Sequence, residues 1–228
     1  MSVKSIFPGL ALAALTLVTI IMAVTVSQYA SMDTSTGFLQ YKQEYIGNRL
    51  WLDAFYVHVF TCFLCLIAGL TQFLPWMQQQ HRLLHRSIGI FYVVNILFIN
   101  VPSGMILAFQ ANGGAASRMA FVVLDLLWAW TTTMAWIHIK RGNVLQHRAF
   151  MIRSFALTLS AISFRLWKQV WLHTTDWDPA LVYKIDAWLG FIPNLLLAEL
   201  LIRRKGVLSA LKENRITQYK EDQETQQS

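Results

Sequence analysis

Long apolar runs separated by short polar stretches dominate the chain, and their spacing predicts its elements. Apolar segments occupy residues 6–26, 51–75, 86–109, 119–139, 147–171 and 184–203. Each is close to the roughly 20 residues that a helix needs to cross a bilayer. Backbone polar groups in lipid must be satisfied within the segment, so such runs are read as helices. The expectation is an all-α, polytopic membrane helix bundle of about six transmembrane helices. Residues 1–30 hold the first helix, longer than a secretory h-region and without a convincing cleavage site, so it is read as retained. Residues 31–50 form an extracytoplasmic loop, residues 51–205 a five-helix membrane core, and residues 206–228 a polar cytoplasmic tail.

Composition agrees with this pattern. Hydrophobic residues make up 55% of the 228 and charged residues 14%, well under the roughly 25% charged of soluble domains. The formal net charge of +7 does not point to nucleic acid, because the basic residues sit at the ends of apolar runs. Lys4, Arg82, Arg86, Lys140, Arg141, Arg148, Arg203, Arg204 and Lys205 all fall on one side. By the positive-inside bias, that side and both termini are cytoplasmic. The expected location is multi-pass in a bacterial cytoplasmic (inner) membrane, in contact with the lipid bilayer. A membrane protein partner or a homo-oligomer is also considered.

Ionisable residues inside the runs are costly and mark functional or structural centres. Alternate helices run in opposite directions, so depth can be counted from each end. His58 lies seven residues beyond Trp51, Asp125 seven beyond Arg118, and Arg165 six before Trp171. At 1.5 Å per residue all three sit roughly 10 Å below the outer surface. Ser103, and more loosely Asn194, can join this layer, in which opposite charges compensate. In the inner half, Arg153 and Glu199 are similarly deep and predict an ion pair between consecutive helices. The alternative for both clusters is that they only hold helices together. His58, Cys62, Cys65, Gly69 and Gln72 form one stripe on the second helix, expected to face the bundle. Its C-x-x-C is read as small-residue packing.

Two His-Arg pairs, His85-Arg86 and His147-Arg148, open the third and fifth helices at the cytoplasmic face. Helix N-termini attract anions, so the four residues form a candidate cofactor-binding rim for a lipid phosphate, a substrate phosphate or a haem propionate. Histidine also ligates haem iron. This makes His85 and His147 the candidate metal ligands, with haem b as the one cofactor considered.

Several of these residues recur in order: His58-Val59, Gly69 with Gln72-Phe73, His85-Arg86 with Gly89 and Tyr92, Ser103-Gly104, Trp128 with Thr131-Thr132, His147-Arg148 with Met151-Ile152-Arg153-Ser154, and Arg165. The pattern resembles a bacterial family of predicted multi-pass membrane proteins classed as a domain of unknown function, with HR-x-x-G and HR-x-W-M-I-R-S signatures. Phe150 stands where that signature has Trp, and Cys62 where a Gly is common. The resemblance covers roughly residues 55 to 170. It implies the helical architecture and supplies no activity.

No nucleophilic triad, phosphate loop or metalloprotease motif is present, so no catalytic residue is assigned. Three readings follow. The first is an integral membrane protein of unassigned activity, a non-catalytic subunit or assembly factor with buried polar layers. The second is a small b-type haem or quinone-interacting redox protein. The third is a small-solute or proton transporter, against which stands the lack of an evident inverted repeat.

Overall fold

The computed structural model describes residues 3–204 and residue 206, with side chains from residue 13 onward except at Pro75 and Leu172. Apart from Gly206, the expected tail of residues 206–228 lies outside the described residues. Among them there is no strand. The helices are α1 (Val3–Ser27), α2 (Arg49–Gln72), α3 (Pro75–Gln80), α4 (Arg82–Asn95), α5 (Val101–Ala108), α6 (Ala115–Lys140), α7 (Val144–Thr158), α8 (Ser160–Thr174) and α9 (Pro179–Leu189). A further helix, α10, runs over 192–204.

Four described helices are long and apolar enough to cross a membrane: Arg49–Gln72, Arg82–Ala108, Ala115–Lys140 and Pro179–Arg204. The pair α7–α8 makes a fifth if its two halves count as one span. The helix α1 adds an apolar stretch, Ala13–Ser27. This is an all-α polytopic bundle. One end carries residues 28–48 and the turns near Gly113 and Asp178. The other, basic end carries α3 and the turn near Arg141.

Three spans are not the straight helices that the apolar runs predict, and each departure has a local cause. Pro102 has no N–H to give the carbonyl of Phe98. The preceding stretch, Ile96–Asn100, is accordingly wound as a π-helix, with the Val101 N–H bonded to the Ile96 carbonyl. The expected helix over 147–171 bends by 41° between Val144–Thr158 and Ser160–Trp171. There the Thr158 hydroxyl bonds both the Ser154 carbonyl (3.1 Å) and the Tyr92 hydroxyl (2.7 Å), a side-chain competition that bends helices. The last span starts at Pro179, capped by the Asp178 carboxylate on Ala180 N–H, five residues before the expected start. It is interrupted at Gly190–Phe191, just ahead of Pro193.

Asn194 ties two of these interruptions together. Its amide donates to the Ala156 carbonyl and to the Gly190 carbonyl, each at 3.2 Å, and its oxygen accepts from Ser163 Oγ at 3.0 Å. Carbonyls next to a break in lipid need such donors.

The core is tightly packed where small residues meet large ones. The stripe on α2 does face inward, with Cys65, Gly69 and Gln72 buried. Gly69 is needed because a Cβ there would collide with the Phe155 ring. Tyr92, Ser154, Thr158 and Thr132 form a buried hydroxyl chain with links of 2.7–3.0 Å, joining α4, α6 and α7. Such hydrogen bonds between membrane helices are worth on average about 0.6 kcal/mol.

Residues 28–48 are more ordered than a polar loop. They contain 3-10 turns at Gly37–Tyr41 and Gln43–Tyr45. Leu39 is fully buried in an apolar cluster with Tyr29, Trp51 and Phe55.

Candidate functional site

The layer predicted from depth counting gathers around two cavities. The first, of about 250 Å³, is lined by aromatic side chains including Phe38, Trp51, Phe55, Phe121 and Phe164, and by Lys42, His58, Asp125 and Arg165. The second, of about 180 Å³, lies between α1, α2 and the α7–α8 bend. His58, Asp125 and Arg165 line both. Three side chains from α2, α6 and α8 therefore meet where the cavities adjoin.

Their geometry differs from the expected charge compensation. Among the described residues Asp125 and Arg165 form no ion pair within 4.0 Å; the pairs present are Arg49–Asp53 and Arg153–Glu199. Arg165 Nη1 donates to the Ala161 carbonyl at 2.7 Å, and its guanidinium lines both cavities. Asp125 is 5% exposed. Its carboxylate and the His58 ring both lie against Gly104: a Cβ on that glycine would stand 2.7 Å from Asp125 Oδ2 and 2.9 Å from His58 Cε1. Only glycine lets α5 approach this closely.

The π-helix supplies the rest. His58 Nδ1 lies 3.1 Å from the Asn100 carbonyl. A carbonyl can only accept, so the proton sits on Nδ1 and neutral His58 presents Nε2 as an acceptor. That nitrogen faces Cys62 Sγ at 3.3 Å, whose thiol also reaches Asn100 Oδ1 at 2.8 Å. Ser103 joins the same knot, its hydroxyl donating to the Ile99 carbonyl at 2.6 Å. Asn95 and Asn100 were not singled out from the sequence. Two asparagines just ahead of a proline inside an apolar run were the available signal. Asn100 is completely buried, and its amide bonds Asn95 Oδ1 at 3.0 Å.

Two more ionisable residues emerge. Lys42, inside the expected loop of residues 31–50, is 2% exposed. It donates to the Gln110 carbonyl and lies 4.8 Å over the Tyr45 ring. Burial pulls its ammonium below the usual lysine range, and Arg118 adds to this against the opposing pull of Glu44. Asp186 is fully buried, and neither carboxylate oxygen has a hydrogen-bond partner among the described residues. Trp171 and Lys168 of α8 act on it electrostatically. Asp186 escaped notice because α9 begins at Pro179, which carries it two turns into the span.

In the other half, Arg153 and Glu199 form a two-pronged ion pair, Nε–Oε1 at 2.5 Å and Nη2–Oε2 at 3.0 Å. The Arg153 guanidinium also lies 4.8 Å over Phe150. This pair closes on itself and bridges α7 to α10. Asn194, the looser candidate for the layer, instead serves the helix breaks.

The His-Arg pairs sit at the basic end. His147 Nδ1 donates to the Ala135 carbonyl at 2.9 Å, which leaves Nε2 free to act. His85 Nδ1 is buried with no hydrogen-bond partner among the described residues. His147 and Arg148 are near enough to His85 to act on it electrostatically. Arg86 and Arg148 are exposed. Neither cavity described above touches His85 or His147. Among the described residues no group of three or more His, Cys, Asp or Glu is placed to hold a metal ion.

In comparisons with known proteins, a family model described as a predicted membrane protein, DUF2306, matches residues 55–202. No curated protein and no solved structure matches the chain.

Proposed function

The chain belongs to the DUF2306 family of predicted membrane proteins, and from that premise we propose that it is a quinone-binding membrane protein without catalytic groups of its own. The observation that carries this reading is the unpaired meeting of Asp125 and Arg165 at the junction of two cavities. A quinone carbonyl accepts from a guanidinium, and the hydroxyl of its reduced form donates to a carboxylate. Arg165 and Asp125 supply one of each. The aromatic walls of the first cavity suit a flat ring, which packs by offset or edge contacts. Interrupted helices in membranes are tolerated where they line a cavity, and the Leu159 and Gly190 breaks adjoin this one. The positive-inside bias puts the cavity on the extracytoplasmic side of a bacterial inner membrane. In that setting the protein acts as a subunit presenting quinone to a membrane partner.

The test is titration of the protein in lipid nanodiscs with decylubiquinone, read by quenching of tryptophan fluorescence. Saturable quenching is expected, weakened at least tenfold by Arg165→Gln at unchanged melting temperature. Linear, non-saturating quenching in both proteins sinks the proposal.

A second reading has its own support at the basic end. The His147 Nδ1 bond to Ala135 fixes the tautomer that frees Nε2, the usual arrangement of a metal-ligating histidine, while His85 Nδ1 lacks a partner. The pair suits haem b, with Arg86 and Arg148 at hand for its propionates. Absorption spectra of haem-supplied protein, oxidised and dithionite-reduced, decide it. A Soret band lost in His85→Ala and His147→Ala but kept when the exposed His173 in the last turn of α8 is changed to Ala supports ligation, and a flat visible spectrum ends it.

A further inference from the structure

Building on the quinone reading, we infer that the ligand carries a long apolar tail, reaches the site from the bilayer past α1, and lays that tail in the second cavity. The first cavity, at about 250 Å³, is smaller than the roughly 300–1,000 Å³ of pockets for drug-sized ligands. It takes a ring and its substituents and has no room for a prenyl chain as well. The second cavity begins at the same three side chains, His58, Asp125 and Arg165, and runs toward α1 with an apolar wall that includes Met22, Val26, Phe63 and Leu66. A polar head held at the junction therefore has, besides the aromatic cavity for its ring, an apolar channel leading from it toward α1.

That direction ends at the edge of the bundle. The helix α1 packs chiefly on α2. Its opposite face is open, with Leu17, Ile20, Ile21 and Val24 each more than half exposed. A single helix thus separates the second cavity from lipid. Near residues 28–48 the wall of the first cavity includes Phe38, Lys42 and Trp51, of which Lys42 and Trp51 are each 2% exposed. Entry from lipid has to displace one peripheral helix.

The experiment compares two probes in nanodiscs: decylubiquinone and its tail-less parent, 2,3-dimethoxy-5-methyl-1,4-benzoquinone. Each is titrated into the unaltered protein and into Val26→Phe, which narrows the second cavity and leaves the first untouched. The expected result is that Val26→Phe weakens decylubiquinone at least tenfold and leaves the tail-less quinone unchanged. Met22→Trp, on the same wall, repeats the measurement should Val26→Phe not fold. Equal response of both probes to these substitutions, or none from either, overturns the tail assignment while quinone binding stands. Failure of the unaltered protein to bind either probe overturns the quinone reading itself.

Discussion

Adding one methyl group at Gly104 tests the junction directly. In Gly104→Ala the new Cβ would lie 2.7 Å from Asp125 Oδ2 and 2.9 Å from His58 Cε1. Ordinary carbon contacts begin near 3.5 Å, so the carboxylate must retreat by about 0.8 Å. Overpacking of this kind costs roughly 1–3 kcal/mol. Alanine recovers about 0.5–1 kcal/mol over glycine inside a helix. The net loss is then about 0–2.5 kcal/mol, a range that includes zero, so the single variant does not decide. The coupling to Asp125 is the informative quantity. In an Asp125→Ala background the nearer contact is gone, while the His58 contact persists because the ring is held at Asn100. Gly104→Ala should therefore cost about 1 kcal/mol less there than in the unaltered protein. The assay is reversible unfolding in mixed micelles across all four members of the cycle. A coupling within the roughly 0.3–0.5 kcal/mol expected of independent sites would refute the close approach of α5 to α6 at this level.

Two further outcomes follow from groups away from the cavity junction. Glu199→Gln and Arg153→Gln should each lower stability by about 0.6–1.7 kcal/mol, the range for polar pairs between membrane helices. The swapped pair Arg153→Glu with Glu199→Arg should recover most of that, and a swap no better than the singles would deny the pair a stabilising role. Lys42 makes a pH prediction. Burial holds its folded-state titration below the ordinary lysine value, so between the two the unfolded chain binds more protons and stability rises with pH. The cost of the buried charge is present in full below the depressed value and is relieved as pH climbs toward the ordinary one. Lys42→Met should remove that alkaline rise, and a melting curve series in which both proteins show it would place Lys42 in solvent.

Helical rise and alternating direction were enough to bring His58, Asp125, Arg165 and Ser103 to one level, and Arg153 to Glu199. Both arguments need only distance along a straight rod. What rods cannot show is rotation and interruption. Whether Asp125 and Arg165 point at each other depends on how α6 and α8 turn about their axes, and the bend at Leu159 resets that turn for α8. Asn100 reaches His58 because Pro102 opens the ladder and the π-winding re-aims the residues before it. Asp186 was hidden by a start signal, Asp178-Pro179, in which both residues favour a helix N-terminus but which lies outside the apolar run. Lys42 was missed for another reason. Loop burial comes from tertiary packing of Leu39 and its aromatic neighbours, to which a polar local composition gives no clue.

The bonds of Asn194 have a mechanical consequence. One amide pins α7 at Ala156, α8 at Ser163 and the α9–α10 joint at Gly190. Above that pin, α8 and α9 pack on each other and α9 also packs on α6, where Phe121 meets both Phe164 and Tyr183; the chain joins them to the lower bundle by two short interruptions at nearly the same height. They form a hairpin hinged at its base. Rocking that hairpin would change the width of the first cavity, whose wall includes Phe164, Arg165, Tyr183 and Ala187, while the Arg153–Glu199 clasp below holds the footing still. Any such motion would slide α8 and α9 over α6 at Phe121 while the lower half stays a fixed frame.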